Sequence, residues 1–376
     1  MQRKNLYYFI QSKARKLGKP FGKKGKKGRP PALSPYEYTA AFIISTFLDL
    51  SLRDDEFLSD LIFGKHIDHS TFGKAFQKIP HHYLQKLLLM IRNEIKNLIG
   101  KKYIPILIAD STGVITDRLY VPAIIKCKSK RRKVVDKLNI VAEYYPEKSA
   151  IVIANADAFL TSDPYSAIKM LSEIETDATI LFADAGFDCE ELYEKCFSIG
   201  IKPVIKQRRY DKKARKCRGK AREVFDEELY RKFRRIIEGI FGGLETRRLL
   251  FTRYKKKSIR MKHIIAMAIV HNINTYMAIS LFILMDFFDN LEKCKTFISI
   301  PPSIYQASFP KRCPMVIFFI NEYRSCVNVH QKSWYYTNIN HMLNEFFKIL
   351  ICSGVIFSRF SMIYHQNAYF NILFYI

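Results

Sequence analysis

Two acidic residues follow apolar runs, at positions where a carboxylate could bind a metal ion. Asp110 follows the run 103–109, and Asp184 follows the run 179–183. Each run predicts a buried strand that ends at its acid. A carboxylate there is costly to desolvate unless it is paired or binds a cation, and active sites collect at strand ends in open α/β sheets. A structural cap for the following turn is the alternative for either residue alone.

Glu238 is the third acid of interest, and it lies in a predicted helix over residues 225–241. Tyr230, Arg234 and Glu238 are spaced four residues apart, so they share one face of that helix. The neighbouring face is apolar and would pack against a sheet. Arg234 could hold the Glu238 carboxylate in one orientation or bind a phosphate. The alternative is an ordinary surface ion pair.

Three carboxylates together would form a cage for Mg²⁺, which prefers carboxylate and water oxygens. Two such ions, about 3.5–4 Å apart, activate an oxygen nucleophile and stabilise a leaving oxygen in phosphodiester chemistry. No His/Cys spacing competes for the metal, and His66, His69, His81 and His82 are interpreted as surface or core histidines. The eight cysteines form no zinc motif and predict reduced, intracellular thiols.

Over residues 25–279 the sequence resembles DDE-type insertion-sequence transposases, whose catalytic domain has the RNase H-like fold. Four segments carry the resemblance: 108–113 around Asp110, Lys137-Leu138 opening a strand, 184–188, and 234–239 around Glu238. One branch of that family carries a Y-x2-R-x3-E-x6-K signature. Arg234 and Glu238 match it, whereas Tyr230 lies one residue too early and Glu245 stands in place of the lysine.

The resemblance implies that Asp110, Asp184 and Glu238 are the catalytic and metal-binding residues. They would bind Mg²⁺, with two ions in the site and Mn²⁺ able to substitute. Supporting roles are implied for Tyr230, Arg234, Asp188 and Lys137.

The charge of the chain predicts a polyanionic partner. Lys and Arg number 62 against 35 Asp and Glu, which gives a net charge of +27 over 376 residues. That partner is either nucleic acid or an anionic membrane surface, and the alternative is a charge that serves solubility alone; the clustering of the charge favours nucleic acid. Residues 1–33 are predicted to be a flexible basic arm, because glycine and like charge oppose packing. The predicted DNA-binding residues are Lys23, Lys24, Lys26, Lys27, Arg29, Lys130, Arg131, Arg132, Lys133, Arg208, Arg209, Lys212 and Lys213.

Three further regions follow the arm. Residues 34–99 are predicted to be an all-α, helix-turn-helix-like DNA-binding region, with helix starts at Ser34 and Asp68. Residues 100–279 are predicted to be α/β; the resemblance implies that they are the DDE catalytic domain, with an RNase H-like mixed sheet flanked by helices. Residues 280–376, rich in aromatics and poor in glycine, are an atypical C-terminal extension of uncertain fold. It is interpreted either as an unusual extra domain or as an extension that was never selected to fold and is not a native domain. The apolar stretch 264–288 contains polar interruptions and predicts a buried helix, not a membrane span.

The expected function is that of a transposase. It would bind the terminal inverted repeats of its own element, cleave DNA with a divalent metal, and join the freed end to target DNA. Synapsis of two ends implies a homodimer, in a prokaryotic cytoplasm at the nucleoid and without a membrane partner. The alternatives are an RNase H-like nuclease without strand transfer and a catalytically decayed DNA-binding repressor.

Overall fold

The computed structural model describes residues 3–22, 30–116, 134–158, 162–208, 216–246 and 249–295. Residues 7–279 form one compact unit, and residues 280–295 belong to a second. The segment 119–125, whose sequence makes it a strand candidate, and most of the C-terminal extension lie outside the described residues.

The N-terminal part of the described chain is helical. Its helices are α1 (Arg3–Lys16), α2 (Pro35–Phe47), α3 (Leu52–Phe63), α4 (His69–Lys78) and α5 (His81–Ile99). The predicted start of α2 is confirmed: Ser34 and Glu37 form a capping box, and Pro35 is the first helical residue. The predicted start of α4 is also confirmed, since the Asp68 side chain accepts a hydrogen bond from the Ser70 amide.

The first helix corrects the prediction of a flexible arm for part of residues 1–33. Residues 3–16 are helical, with Ile10 and Ala14 fully buried. The Tyr83 hydroxyl on α5 donates a hydrogen bond of 2.6 Å to the Ala14 carbonyl. Apolar burial against α5 therefore orders this segment despite its basic charge. The basic cluster at 23–29 lies outside the described residues.

The second half of the unit is a mixed sheet of six strands among the described residues. The strands are β1 (Ile106–Thr116), β2 (Val134–Tyr145), β3 (Ala150–Asp157), β4 (Ile180–Ala183), β5 (Lys202–Ile205) and β6 (Phe251–Thr252). Their order is β3-β2-β1-β4-β5, with β6 paired to β1 beyond the end of β4. The first three strands are antiparallel, whereas β4, β5 and β6 run parallel to β1. This mixed sheet, flanked by helices, is consistent with the predicted RNase H-like fold.

Strand β3 has no counterpart in the sequence prediction. Alanine and asparagine are depleted in strands, and they make up half of the segment 150–157. Tertiary contacts establish the strand: β3 pairs with β2, and the Asn272 amide forms two hydrogen bonds of 2.8 Å with the backbone of Ile153.

The helices that follow cover the sheet. They are α6 (Asp163–Ser172), α7 (Glu190–Ser198), α8 (Lys216–Glu223), α9 (Glu227–Arg234), α10 (Ile236–Thr246) and α11 (Lys257–Lys295). Leu107 and Leu181 of the sheet share a buried cluster with Met170 of α6 and Leu192 of α7.

Helix α11 is the one described helix that is long and apolar enough, over residues 257–283, to cross a membrane. Residues 264–270 are nevertheless buried inside the compact unit. The core helix of a globular protein passes the same test of length and composition. The prediction of a buried helix over 264–288 is confirmed for its first part, whereas Leu281 and Phe282 are exposed.

A buried ion pair joins the helical part to the sheet. The Arg92 guanidinium on α5 forms a two-pronged pair with Glu143 on β2, and both side chains are almost completely buried. Tyr145 and Thr176 donate hydroxyl hydrogen bonds of 3.3 and 2.9 Å to the same carboxylate. Arg92 also donates to the Glu175 carbonyl at 2.7 Å. The Arg92 guanidinium and the Glu143 carboxylate therefore both have hydrogen-bond partners, which buried charges need.

A second buried carboxylate gives a stability test. Asp55 on α3 accepts a 2.9 Å hydrogen bond from the Ser45 hydroxyl on α2, and burial raises the pKa of Asp55 to about 7. Between roughly pH 4 and this value the folded protein keeps a proton that the unfolded chain has lost. Stability should therefore fall as pH rises through this window and level off above it.

The Asp55→Asn variant keeps a hydrogen-bonding partner for Ser45 but has no proton to lose. We expect its unfolding midpoint in urea to change less between pH 5 and pH 8 than that of the wild type. At pH 8 it should be at least as stable. Equal pH dependence in both proteins would show that Asp55 ionises normally in the folded state.

Candidate active site

Asp110 and Asp184 lie at equivalent positions of two neighbouring parallel strands. The last residue pair between β1 and β4 is Ala109 with Ala183, and each aspartate is the next residue. The prediction that Asp110 ends its strand is wrong, because β1 continues to Thr116. Asp184 does end β4. Beyond this point β1 pairs on the same edge with β6, from Ile115 onward. Asp110 thus lies on the stretch of this edge between the residues of β1 that pair with β4 and those that pair with β6.

The Asp110 carboxylate is buried and has two partners. Its side chain is 11% exposed, forms an ion pair with the Arg234 guanidinium at 3.0 Å and accepts a hydrogen bond from the Ser111 amide at 2.8 Å. Burial raises the pKa of Asp110 above its ordinary value. The amide and Arg234 oppose this increase, whereas the negative charges of Asp184 and Asp163 add to it. Repulsion among these carboxylates is what a bound cation would relieve.

Asp184 forms the turn that leads out of β4. Its Oδ1 atom accepts a 2.8 Å hydrogen bond from the Gly186 amide and caps the short 3-10 helix Ala185–Phe187. Asp184 therefore does cap the turn that follows it, as the alternative interpretation predicted. The cap uses one of its two carboxylate oxygens, Oδ1. A Cβ atom at position 186 would lie 2.8 Å from Oδ1. Glycine is required there because any side chain would displace the Asp184 carboxylate.

Arg234 connects Asp110 to Glu238. One guanidinium nitrogen lies 3.0 Å from the Asp110 carboxylate, and the other lies 3.2 Å from that of Glu238. The Glu238 side chain is 65% exposed, and its ion pair with Arg234 is the i,i+4 pair considered as the alternative. The ion pair with Asp110, which the sequence did not predict, links Glu238 to Asp110 through the Arg234 guanidinium. Asp110, Asp184 and Glu238 are not among the groups of described residues whose ligand atoms lie within 4.8 Å of one another.

The single helix predicted over 225–241 is wrong in detail. Helix α9 ends at Arg234, and α10 begins at Ile236. The Phe233 ring contacts Phe182 of β4 with centroids 5.5 Å apart, and Ile237 is fully buried. The predicted packing of an apolar face against the sheet is therefore confirmed, although a break between the two helices separates Arg234 from Glu238.

Tyr230 lies on α9 at the same site. Burial raises the pKa of the Tyr230 hydroxyl, and the negative charge of Asp184 adds to this effect while Arg234 opposes it. Both Tyr230 and Arg234 therefore face the acidic residues.

Asp163 is a further carboxylate that sequence analysis missed. It lies in the first turn of α6, and its Oδ2 atom is 3.6 Å from the Cβ position of Gly186. Its other oxygen forms an ion pair with Lys137 on β2. In the sequence, Asp163 resembles an ordinary acid at a helix start. The only available signal was Ser162-Asp163-Pro164, which marks the start of a helix but not a site.

Asp188 anchors the chain next to the site instead of facing the acids. Its carboxylate pairs with the Arg218 guanidinium at 2.8 and 2.9 Å, with both side chains 3% exposed. It also accepts hydrogen bonds from the Arg208 amide and the Tyr193 hydroxyl. Burial disfavours the Asp188 charge, but these donors together hold its pKa below the ordinary value.

Arg208 is the one predicted DNA-binding residue that lies within the described ranges. Its guanidinium donates to the carbonyls of Ala185 and Gly186 at 2.6 and 3.2 Å. The basic segment 209–215 therefore begins at a residue bound to the Asp184 turn. The other predicted DNA-binding residues lie outside the described residues.

Comparisons with known proteins give limited similarity. No protein-family model matches the chain. An uncharacterised protein of Aquifex aeolicus (strain VF5) is 29% identical over 186 residues, which are 48% of this chain and 58% of that protein. The chain thus spans less than two thirds of that relative. A cryo-EM structure of a piggyBac transposase synaptic complex with hairpin DNA has a TM-score of 0.39 at 10% identity, covering 83% of this chain and 90% of that one. A likeness of that degree does not bear on function.

Proposed function

We propose that this protein is a DDE-type transposase that binds the terminal inverted repeats of its element, cleaves DNA with a divalent metal ion, and transfers the freed strand to target DNA. The observation that carries the proposal is the arrangement of three acids. Asp110 and Asp184 follow the last paired residues of parallel β1 and β4, and Arg234 connects Asp110 to Glu238.

The donor set fits a hard divalent cation. Asp110, Asp184 and Glu238 offer only carboxylate oxygens, which Mg²⁺ and Mn²⁺ prefer. Burial raises the pKa of Asp110, and the negative charge of Asp184 adds to this effect, so a bound cation would relieve repulsion between the two carboxylates. Two bound ions would supply activation of a water or 3′-hydroxyl oxygen and stabilisation of the leaving oxygen.

Two residues of the protein, Arg234 and Gly186, arrange this site for a metal ion and a DNA phosphate. Arg234 balances the charge of Asp110 and orients Glu238. A guanidinium also suits the two-pronged recognition of phosphate oxygens, so Arg234 can exchange a carboxylate for a DNA phosphate. Gly186 leaves room beside Asp184, since even a methyl group there would collide with the carboxylate.

The net charge of +27 supports DNA as the partner. Arg208 and Arg218 both bind to the residues that follow Asp184: Arg208 donates to the Ala185 carbonyl, and Arg218 pairs with Asp188. We further propose that the enzyme acts as a homodimer on two element ends, in a prokaryotic cytoplasm.

The test is incubation of the full chain with Mg²⁺ and labelled DNA that carries the ends of the element, together with an unlabelled target. Cleavage at the ends followed by labelled products joined to the target would support a transposase. Cleavage without joined products would indicate the nuclease alternative. Binding without cleavage would indicate a repressor.

Asp163 provides a separate prediction about this site. Asp163→Asn should lower cleavage about tenfold to a hundredfold, the range typical of losing a group that supports metal ligands. The concentration of Mg²⁺ needed for half-maximal cleavage should rise, because negative charge next to Asp184 is lost. Ser172→Ala, at the far end of the same helix, is the control and should change neither quantity. If Asp163→Asn needs the same Mg²⁺ concentration as the wild type, Asp163 does not support the metal site, and its role is the ion pair with Lys137.

A further inference from the structure

A cluster of imidazole and carboxylate groups lies where α3 meets α4, apart from the proposed active site. Glu56 lies on α3, His66 lies in the connection, and Asp68 and His69 begin α4. The Nδ1 atom of His69 is 2.7 Å from one Glu56 oxygen, and the Nε2 atom of His66 is 3.4 Å from the other. His69 Nδ1 also lies 3.4 Å from an oxygen of Asp68. One carboxylate thus contacts two imidazoles that are three residues apart in sequence.

These separations suit a metal ion better than a set of unrelated ion pairs. One donor atom from each of Glu56, Asp68 and His69 lies within 4.8 Å of the other two. Tetrahedral Zn²⁺ has nitrogen and oxygen ligands at about 2.0–2.1 Å, which places neighbouring ligand atoms about 3.4 Å apart. The contacts of His66 with Glu56 and of His69 with Asp68 already have this length. For a shared ion, His69 and Glu56 would have to separate from their 2.7 Å contact. His66, which lies outside the group of three, would also have to turn toward it.

Asp68 can bind a cation without losing its structural role. Its Oδ1 atom caps α4 by accepting the Ser70 amide at 2.8 Å. Its Oδ2 atom is the one that faces His69. The helix cap and a metal ligand therefore use different oxygens of the same carboxylate.

The backbone that presents the two histidines is held in place. Gly64 ends α3 in the left-handed conformation, with φ of 69°. The buried Ser59 hydroxyl accepts the Ile67 amide at 3.0 Å and donates to the Glu56 carbonyl at 2.7 Å. The Ile67 side chain, between His66 and Asp68, is buried. The connection is therefore fixed against α3, so His66, which already contacts Glu56, would approach a shared ion by rotation of its side chain.

We propose that Glu56, His66, Asp68 and His69 bind a divalent transition metal ion that prefers imidazole ligands, with Zn²⁺ as the reference ion. This site offers both nitrogen and oxygen donors, whereas the site around Asp110 offers only carboxylates. The two sites should therefore prefer different metals, because imidazole suits Zn²⁺ and not Mg²⁺. Four protein ligands leave no open position, so the ion would be structural. It would fix α3 relative to the start of α4, the pair of helices in which a DNA-binding turn is predicted.

The test is calorimetric titration of the full chain with Zn²⁺ in excess Mg²⁺, which keeps the carboxylate site filled. We expect His69→Gln and Glu56→Gln each to weaken Zn²⁺ binding at least about tenfold, a loss that even an outer partner of a metal ligand can cause. His66→Gln should have a similar effect. His82→Gln, an exposed histidine at the start of α5, is the matched control and should bind as the wild type does.

Substitution with Co²⁺ adds a direct reading of the ligands. A tetrahedral spectrum without thiolate charge-transfer bands, lost in His69→Gln and kept in His82→Gln, supports the site. Zn²⁺ binding that is equal in wild type, His66→Gln and His69→Gln overturns it, because the ion would then bind elsewhere, for example at cysteines. The proposal is also overturned if the wild type binds Zn²⁺ no more strongly than Mg²⁺. The cluster is then a set of ion pairs.

Discussion

Replacing Asp110 with asparagine is expected to reduce Mg²⁺-dependent DNA cleavage at least about 10³-fold, because a metal ion at such a site contributes several kcal/mol to the transition state. The Asp110 carboxylate interacts with the rest of the acidic group: Arg234 forms an ion pair with it, and the negative charges of Asp184 and Asp163 act on it. The amide keeps the size of the side chain but removes the negative charge that would hold the ion.

The fold should not suffer from this substitution. Asp110 is buried next to other negative charges, and the amide relieves their repulsion. Arg234 keeps Glu238 as a partner. We expect the melting temperature of Asp110→Asn to equal or exceed that of the wild type without metal, and its DNA affinity to be unchanged or higher.

Asp177→Asn is the control for Asp110→Asn. Asp177 is exposed and pairs only with Lys96 across the surface, so its loss should leave cleavage within about twofold of wild type, in line with the small energy of exposed pairs. Cleavage by Asp110→Asn at more than a tenth of the wild-type rate would remove Asp110 from the catalytic group. Equal loss in both variants would point to a general effect on folding.

Replacing Arg92 with methionine should lower the free energy of unfolding by about 3–5 kcal/mol, the usual effect of removing one partner of a buried ion pair. The Glu143 carboxylate, which is fully buried, would keep hydrogen bonds from Tyr145 and Thr176 but would lose its counter-charge. Chemical denaturation of the full chain measures the change.

The same helix offers a matched control for this change. Lys96 lies one turn after Arg92 and pairs with exposed Asp177 at 2.6 Å. Lys96→Met removes the same kind of charge and should cost only about 0–1 kcal/mol. Adding Glu143→Leu to Arg92→Met should recover much of the stability, since no unpaired charge is then buried. If Arg92→Met costs no more than Lys96→Met, the buried pair does not join α5 to the sheet.

Local patterns in the sequence predicted many of the elements. The capping box at Ser34 predicted the start of α2, and Asp68 predicted that of α4. These signals work because a helix start depends on residues within one turn of it. The apolar runs before Asp110 and Asp184 predicted β1 and β4, because a strand buried on both faces is apolar throughout.

The sequence predicted strands and helices less well where contacts with residues distant in the chain determine their extent. β1 continues six residues past Asp110 to Thr116, because β2 and β6 supply partners there. Strand β3 exists because β2 and Asn272 pair with its backbone. The helical segment 3–16 is ordered by burial against α5. Each outcome depends on residues far away in the sequence, which local periodicity does not reveal.

By itself, the sequence determined the mixed α/β class, the strongly basic character of the chain, and the choice of Asp110, Asp184 and Glu238 as candidates, because apolar runs, charge and motif spacing are local properties. Only the tertiary structure placed Arg234 between Asp110 and Glu238, brought Asp163 to Gly186, and set His66 and His69 on one carboxylate. The register of parallel strands and the packing of helices determine which distant side chains meet, and both follow from burial of the whole chain at once.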